Sequence, residues 1–145
     1  MLKRVARTLL PSADMTLVPA GGITQLSDKI IGCAIVVHRA MGPGLLEAPY
    51  KLALAVELSR AGLAYALDVP LKVTYGDVKL GCGYRMDVVV EATVVLEIKS
   101  VAATLPIHRA QLLTYLRLSG YPVGLLLNFN AKLLKEGIAR VLNDR

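Results

Sequence analysis

The sequence predicts an α/β fold built on one mixed sheet, with the element order α-α-β-β-β-α-β-α. Three observations carry that expectation. Two helix-length segments, divided by Gly42-Pro43-Gly44, come first. Three apolar strand-like runs with short turns come next, up to Lys99. A helical segment then separates them from a fourth apolar run at Val123 to Phe129. Runs joined by tight turns pair antiparallel, whereas a strand reached through a helical crossover returns parallel to its predecessor.

Composition agrees with a compact chain. With 145 residues, 54% hydrophobic and 19% charged, it can bury the core of one domain, and it lacks the polarity of a disordered segment. The apolar runs fall short of the ~20 residues that cross a bilayer, so no membrane partner is expected. The net charge of +6 permits a phosphate-rich partner without demanding one. Cys33 and Cys82 form no CxxC pair, and His38 and His108 are scattered. That argues against zinc and for free thiols in a reducing, cytoplasmic setting.

Residues 1–22 read as a flexible N-terminal tail. Lys3, Arg4 and Arg7 precede a weak apolar patch broken by Pro11, Pro19, Gly21 and Gly22, which is too short an apolar core for a secretory signal. Residues 23–145 read as one domain. Thr24 or Ser27 can cap a first helix running from Asp28 to about Met41. Its run Ile30, Ile31, Cys33, Ala34, Ile35, Val36, Val37 is apolar nearly all round, which predicts deep burial. A second helix is expected from Leu46 to Arg60, with Pro49 tolerated in the first turn and Gly62 ending it.

Leu67–Tyr75 and Val78–Val90 are the first two strands, turned at Gly76-Asp77. Pro70 places the first near an edge, and Gly81 and Gly83 suggest a bend in the second. A third strand ends at Lys99. The next helix runs from Pro106 to Leu118 and sets Gln111 and Tyr115 four residues apart on one face. After the strand Val123–Phe129, an amphipathic helix is expected at Lys132–Asn143.

Chemistry concentrates in the second and third strands. Asp87 interrupts an apolar run, and Glu97 and Lys99 flank Ile98. Alternation puts Glu97 and Lys99 on one face, ~7 Å apart. Asp87 depends on the turn. A two-residue turn at Glu91-Ala92 leaves it one position out of step with Glu97, and a three-residue turn through Thr93 sets the two carboxylates opposite each other. In the second register, two hard oxygen ligands suit Mg²⁺ or Mn²⁺, and the lysine can orient water or stabilise a phosphate. The plainer alternative is a solvated strand edge with a weak ion pair. Glu47 and Glu57 are further acidic candidates, ~15 Å apart along their helix, so one metal cannot use both. Glu47 is preferred because it adjoins the glycine turn.

Gly44-Leu45-Leu46-Glu47-Ala48-Pro49-Tyr50 matches the pattern of the GxxExxY protein family. The segments Gly83-Tyr84-Arg85-Met86-Asp87, Glu97-Ile98-Lys99, Ala110-Gln111-Leu112-Leu113-Thr114-Tyr115-Leu116 and Gly124-Leu125-Leu126-Leu127-Asn128-Phe129 resemble its later blocks in order. That family is placed in the PD-(D/E)xK nuclease-like superfamily. The resemblance implies a restriction-endonuclease-like core, with Asp87, Glu97 and the helix-borne Glu47 as metal ligands and Lys99 as the catalytic lysine. Gln111 and Tyr115 resemble a QxxxY element that supports the site, and Arg85 and Tyr50, inside matched segments, are expected to bind or support substrate. Where the family pattern is commonly acidic, this chain has Val36, Lys51 and Arg109.

The resulting expectation is a Mg²⁺-dependent nuclease (or Mn²⁺-dependent) acting on nucleic acid, with DNA the favoured substrate. A homodimer is compatible with its small size. The competing expectation is a nucleic-acid-binding or protein-interaction module that keeps the fold without turnover. A structural role within an oligomer is the third.

Overall fold

The computed structural model describes residues 20–145. The tail expected at 1–22 lies outside the described residues except for its last three, with which helix α1 (Ala20–Met41) opens. Ile23 and Leu26 pack partly against the core and extend the helix's apolar stripe back past the expected start. Thr24 and Ser27 therefore sit inside the helix and do not cap it. Nor is α1 buried all round. Ile30, Cys33, Ala34 and Val37 are buried, whereas Val36 is 49% exposed, because the helix meets the rest of the molecule along one side only.

Helix α2 (Glu47–Arg60) starts and stops where expected, with Pro49 in its first turn. At its end Gly62, with φ +75°, donates its N–H to the Ser59 carbonyl. The left-handed conformation there suits glycine.

The two long strands expected at 67–75 and 78–90 are each broken. Strands β1 (Tyr65–Pro70) and β4 (Arg85–Val90) belong to the main sheet. Between them β2 (Val73–Tyr75) and β3 (Val78–Leu80) form a separate two-stranded ribbon turned at Gly76-Asp77. Pro70, which cannot donate a ladder bond, ends β1, and the loop containing Gly83 (φ +71°) separates β3 from β4.

Strand β5 (Val94–Lys99) pairs antiparallel with β4. Helix α3 (Pro106–Ser119) then crosses over, and β6 (Val123–Asn128) lies parallel to β5. This is the mixed connectivity predicted. The final helix is not formed. A 3₁₀ turn at Leu134–Gly137 leads into β7 (Ile138–Leu142), antiparallel to β6. Gly137 explains the difference. It weakens any helix, and it lies so close to β6 that a Cβ would stand 2.6 Å from the Asn128 carbonyl oxygen. Of the apolar residues at helical spacing there, Leu134 is buried in the 3₁₀ turn, and Ile138 and Val141 lie in β7 on opposite faces of the sheet.

The sheet order is β1-β4-β5-β6-β7. On one face, α1 and α2 cover Val88, Val90, Leu96 and Ile98; on the other, α3 covers Val89, Val95 and Leu126. This three-layer α/β arrangement is consistent with the restriction-endonuclease-like core. The sheet carries one irregularity, at its acidic positions. Met86 and Val88, two apart in one strand, should share a face, yet Met86 packs with α3 and Val88 with α1 and α2. Leu67 and Val69 divide in the same way around Asp68, whose φ is +53°. Strands β1 and β4 turn over together at Asp68 and Asp87.

Candidate active site

The turn between β4 and β5 decides the register. Glu91 and Ala92 have φ +51° and +48°, and Thr93 N–H closes the turn onto the Val90 carbonyl at 2.9 Å. Val90 faces Val94, Val89 faces Val95 and Val88 faces Leu96, so the loop is the three-residue alternative. Continuing that register sets Asp87 opposite Glu97.

At that point the backbone ladder gives way to side chains. Asp87 Oδ2 accepts the Ile98 N–H at 2.8 Å, and Glu97 Oε1 accepts the Asp87 N–H at 3.4 Å. The two carboxylates thus fill the opening between the separating strands. They are held by backbone donors, which fixes them better than solvent would.

Burial makes the pair electrostatically unusual. Glu97 is 5% exposed. Desolvation, then the neighbouring Asp87 carboxylate, push its pKa up to about 8, with Lys99 and the Asp87 N–H opposing. Asp87 is raised too, chiefly by burial. The Ile98 N–H pulls it back, followed by Lys51, while Glu47 raises it and Lys99 lowers it. Two partly desolvated carboxyl groups facing each other resist ionising together, and a hard dication would favour the doubly ionised pair by displacing the proton it retains.

Among the described residues, no group of three His, Cys, Asp or Glu side chains comes close enough to hold a metal ion. Asp87 and Glu97 are the donor pair on hand, and their oxygen chemistry fits such an ion. Glu47, exposed in the first turn of α2, stands at the rim, its charge felt at both carboxylates. Its solvated position explains why it does not complete a trio. Glu57 instead pairs with Arg60 at 2.9 Å.

Among the other residues expected at the site, Gln111 Nε2 donates to the Tyr115 hydroxyl at 2.9 Å. Burial raises the Tyr115 hydroxyl pKa, the Gln111 bond opposes this, and the charges of Glu97 and Asp87 add to the rise. The QxxxY pair therefore borders the carboxylates from the α3 side. Tyr84, at the foot of β4, meets the Tyr115 ring edge-on with centroids 6.1 Å apart.

Arg85 is exposed and donates to the Asp68 carbonyl at 3.2 Å. Tyr50 is fully buried, stacked on Phe129 with centroids 4.7 Å apart. Its hydroxyl donates to the Gly42 carbonyl and accepts the Leu45 N–H. It supports the glycine turn ahead of Glu47 and has no surface left to touch a substrate.

Asp68 belongs to the neighbourhood and was not anticipated. It lies abreast of Asp87 in the β1–β4 register and binds Lys51 Nζ at 2.6 Å. Its left-handed backbone is one that Asp tolerates better than most residues. The available signal was the one that singled out Asp87, a carboxylate inside an apolar run.

Behind the site, Asn128 Oδ1 accepts the Val101 N–H while its amide nitrogen donates back to the Val101 carbonyl. Asn130 accepts the Gly44 N–H and Ser100 donates to the Leu45 carbonyl. These bonds tie the end of β5, and with it Lys99, to the loop that leads into Glu47.

A family model described as the PD-(D/E)XK nuclease superfamily matches residues 24–141. No curated protein and no solved structure gives a significant match.

Proposed function

The chain belongs to the PD-(D/E)XK nuclease superfamily, and from that premise we propose that it hydrolyses phosphodiester bonds in DNA with a divalent cation, Mg²⁺ or Mn²⁺. The observation that carries this reading is the buried pair Asp87–Glu97, set face to face where the β4–β5 ladder opens. Asp87 and Glu97 would hold the cation, and Glu47 at the rim would add negative charge toward it. When bound, the cation supplies Lewis acidity toward a phosphate oxygen and a lowered pKa for the attacking water.

The chain's own residues do the rest. Lys99, on the Glu97 face of β5, holds a positive charge where phosphate charge develops, and Lys51 offers a second from α2. Such fixed charges act strongly in a partly dry cleft. Asp68 steadies Lys51 through their 2.6 Å ion pair. The Gln111–Tyr115 pair orients one wall of the cleft.

The test is cleavage of labelled single- and double-stranded DNA with each cation, using wild type, Asp87→Ala and Lys99→Ala, all checked for folding. Metal-dependent cleavage that drops at least ~100-fold in both variants is the expected result. Absence of cleavage, with no calorimetric binding of either cation, would leave a binding module on a nuclease fold.

A further inference from the structure

The β2–β3 ribbon plays no part in the core or in the carboxylate site, yet it is inserted between Asp68 and Asp87, so both its stems run directly into that site. It is anchored at its base. Leu71 is buried in the α3 cluster, and its N–H donates to the Tyr84 carbonyl at 2.9 Å. Beyond that point it stands in solvent.

Its cross-strand pairs Val73–Leu80 and Tyr75–Val78 put four apolar side chains on one face, with Thr74 and Lys79 on the other. Toward the tip that apolar face is uncovered, with Tyr75 80% and Val78 59% exposed, while Val73 near the base is half-buried. A two-stranded ribbon is marginal by itself, and this one leaves the outer part of its apolar face open to water.

The hollow between ribbon and stems, about 370 Å³, is lined by Lys72, Lys79 and Arg85 and by no carboxylate. Among the described residues none of these three cations has an ion-pair partner; Arg85 donates to a backbone carbonyl. The only acidic residue on the ribbon is Asp77 at its tip.

Positive charge without counter-charge in the hollow, with an exposed aromatic and aliphatic surface farther along the same ribbon, matches a ligand long enough to span both, with phosphates and unstacked planar rings. We propose that the β2–β3 ribbon grips an unpaired nucleic-acid strand and leads it to the Asp87–Glu97 site. This rests on the nuclease reading for its direction but not for its binding chemistry. The cations take the phosphates, and Tyr75 offers a stacking platform of the kind that holds bases irrespective of sequence. A duplex hides its base faces within the stack and would leave Tyr75 and Val78 unpartnered. A second copy of this chain would bring the three cations against their own kind.

The experiment is a fluorescence-anisotropy titration of labelled single-stranded and duplex oligodeoxynucleotides with the full chain, in chelator to prevent turnover, at several salt concentrations. The variants are Lys72→Gln with Lys79→Gln, and separately Tyr75→Ser. Lys29→Gln with Arg140→Gln serves as a control of equal charge loss at exposed positions away from the ribbon. Thermal melts check folding.

The lysine variant should lose about tenfold in single-strand affinity, with the salt slope reduced by about 1.4, or ~0.7 per phosphate contact. Tyr75→Ser should lose about tenfold on the single strand and distinctly less on the duplex, and the control should change little. Single-strand affinity unchanged in both ribbon variants, an equal loss in the control, or no single-strand binding by wild type would each overturn the proposal. Cleavage assayed on the same samples with cation added judges the nuclease reading separately. Weakened binding without cleavage in wild type would keep the ribbon's role and reject the enzyme.

Discussion

At its turn, the β4–β5 hairpin is a closed ladder of Val88 to Val90 against Val94 to Leu96, every one of them fully buried. At its other end the same two strands part, and the carboxylates of Asp87 and Glu97 take the backbone N–H groups that the ladder leaves. One end gains from burying apolar surface. The other places like charges where water is scarce, at a cost in stability that the first end offsets. The difference shows how a small domain can carry a strained site: the rigid end holds the register, and the open end inherits it.

The largest effect should come from breaking the closed end. Leu96→Ala removes a wholly buried side chain and should destabilise by ~2–5 kcal/mol, seen as a lower denaturation midpoint. It should also reduce any cleavage by loosening the register that sets Asp87 against Glu97.

Next comes the open end itself. Glu97 has a folded pKa of about 8 against an ordinary value of 4.5. Its neutral form favours the folded state, so its contribution is fully present below pH 4.5 and is lost as pH rises through 8. Without divalent cation, wild-type melting temperature should fall across that window. Glu97→Gln should flatten the fall and be the more stable protein at about pH 8, by on the order of 3 kcal/mol. Added Mn²⁺ should raise the wild-type melting temperature at about pH 8 by mass action and leave Glu97→Gln almost unmoved. A wild-type profile flat from about pH 5 to about pH 8 would contradict the buried-carboxylate account.

A smaller change tests the flank of the open end. Asp68→Asn breaks the ion pair to Lys51, whose Asp68 side chain is 50% exposed. Stability should drop by less than ~1 kcal/mol, whereas the Michaelis constant for a cleaved oligonucleotide should shift if Lys51 is held in place for phosphate. The smallest effect belongs to the turn. Ala92 has φ +48°, and Ala92→Gly should relieve that strain and stabilise by about 0.5 kcal/mol, the gain being trimmed by the added freedom of the unfolded chain.

Much of this architecture was legible in residue order. Gly42-Pro43-Gly44, Pro49 and Gly62 punctuate α1 and α2, because each restricts or frees the backbone locally. The helical crossover required β6 to return parallel to β5. The last segment misled, since Leu134, Ile138 and Val141 satisfy a helical spacing well enough, and nothing local reveals that Gly137 must lie against Asn128. Val36 misled likewise: an apolar residue on an apolar helix says nothing about which side has a neighbour. Asp68 went unnoticed because its importance lies in standing beside Asp87, a residue far along the chain.

By itself the sequence determined the two opening helices, the crossover helix, the mixed pairing of the central strands and the acidic and basic residues that interrupt them, since these depend on local backbone preference and hydrophobic spacing; the β2–β3 ribbon and the closing strand it did not. Both registers of the Glu91 turn were compatible with it. Tertiary packing selected between them: only the three-residue loop pairs Val88 with Leu96 on the face that α1 and α2 cover. A slip of one residue would have turned that whole apolar set toward the opposite face. The facing of Asp87 and Glu97 is therefore a consequence of where the valines and leucines had to go.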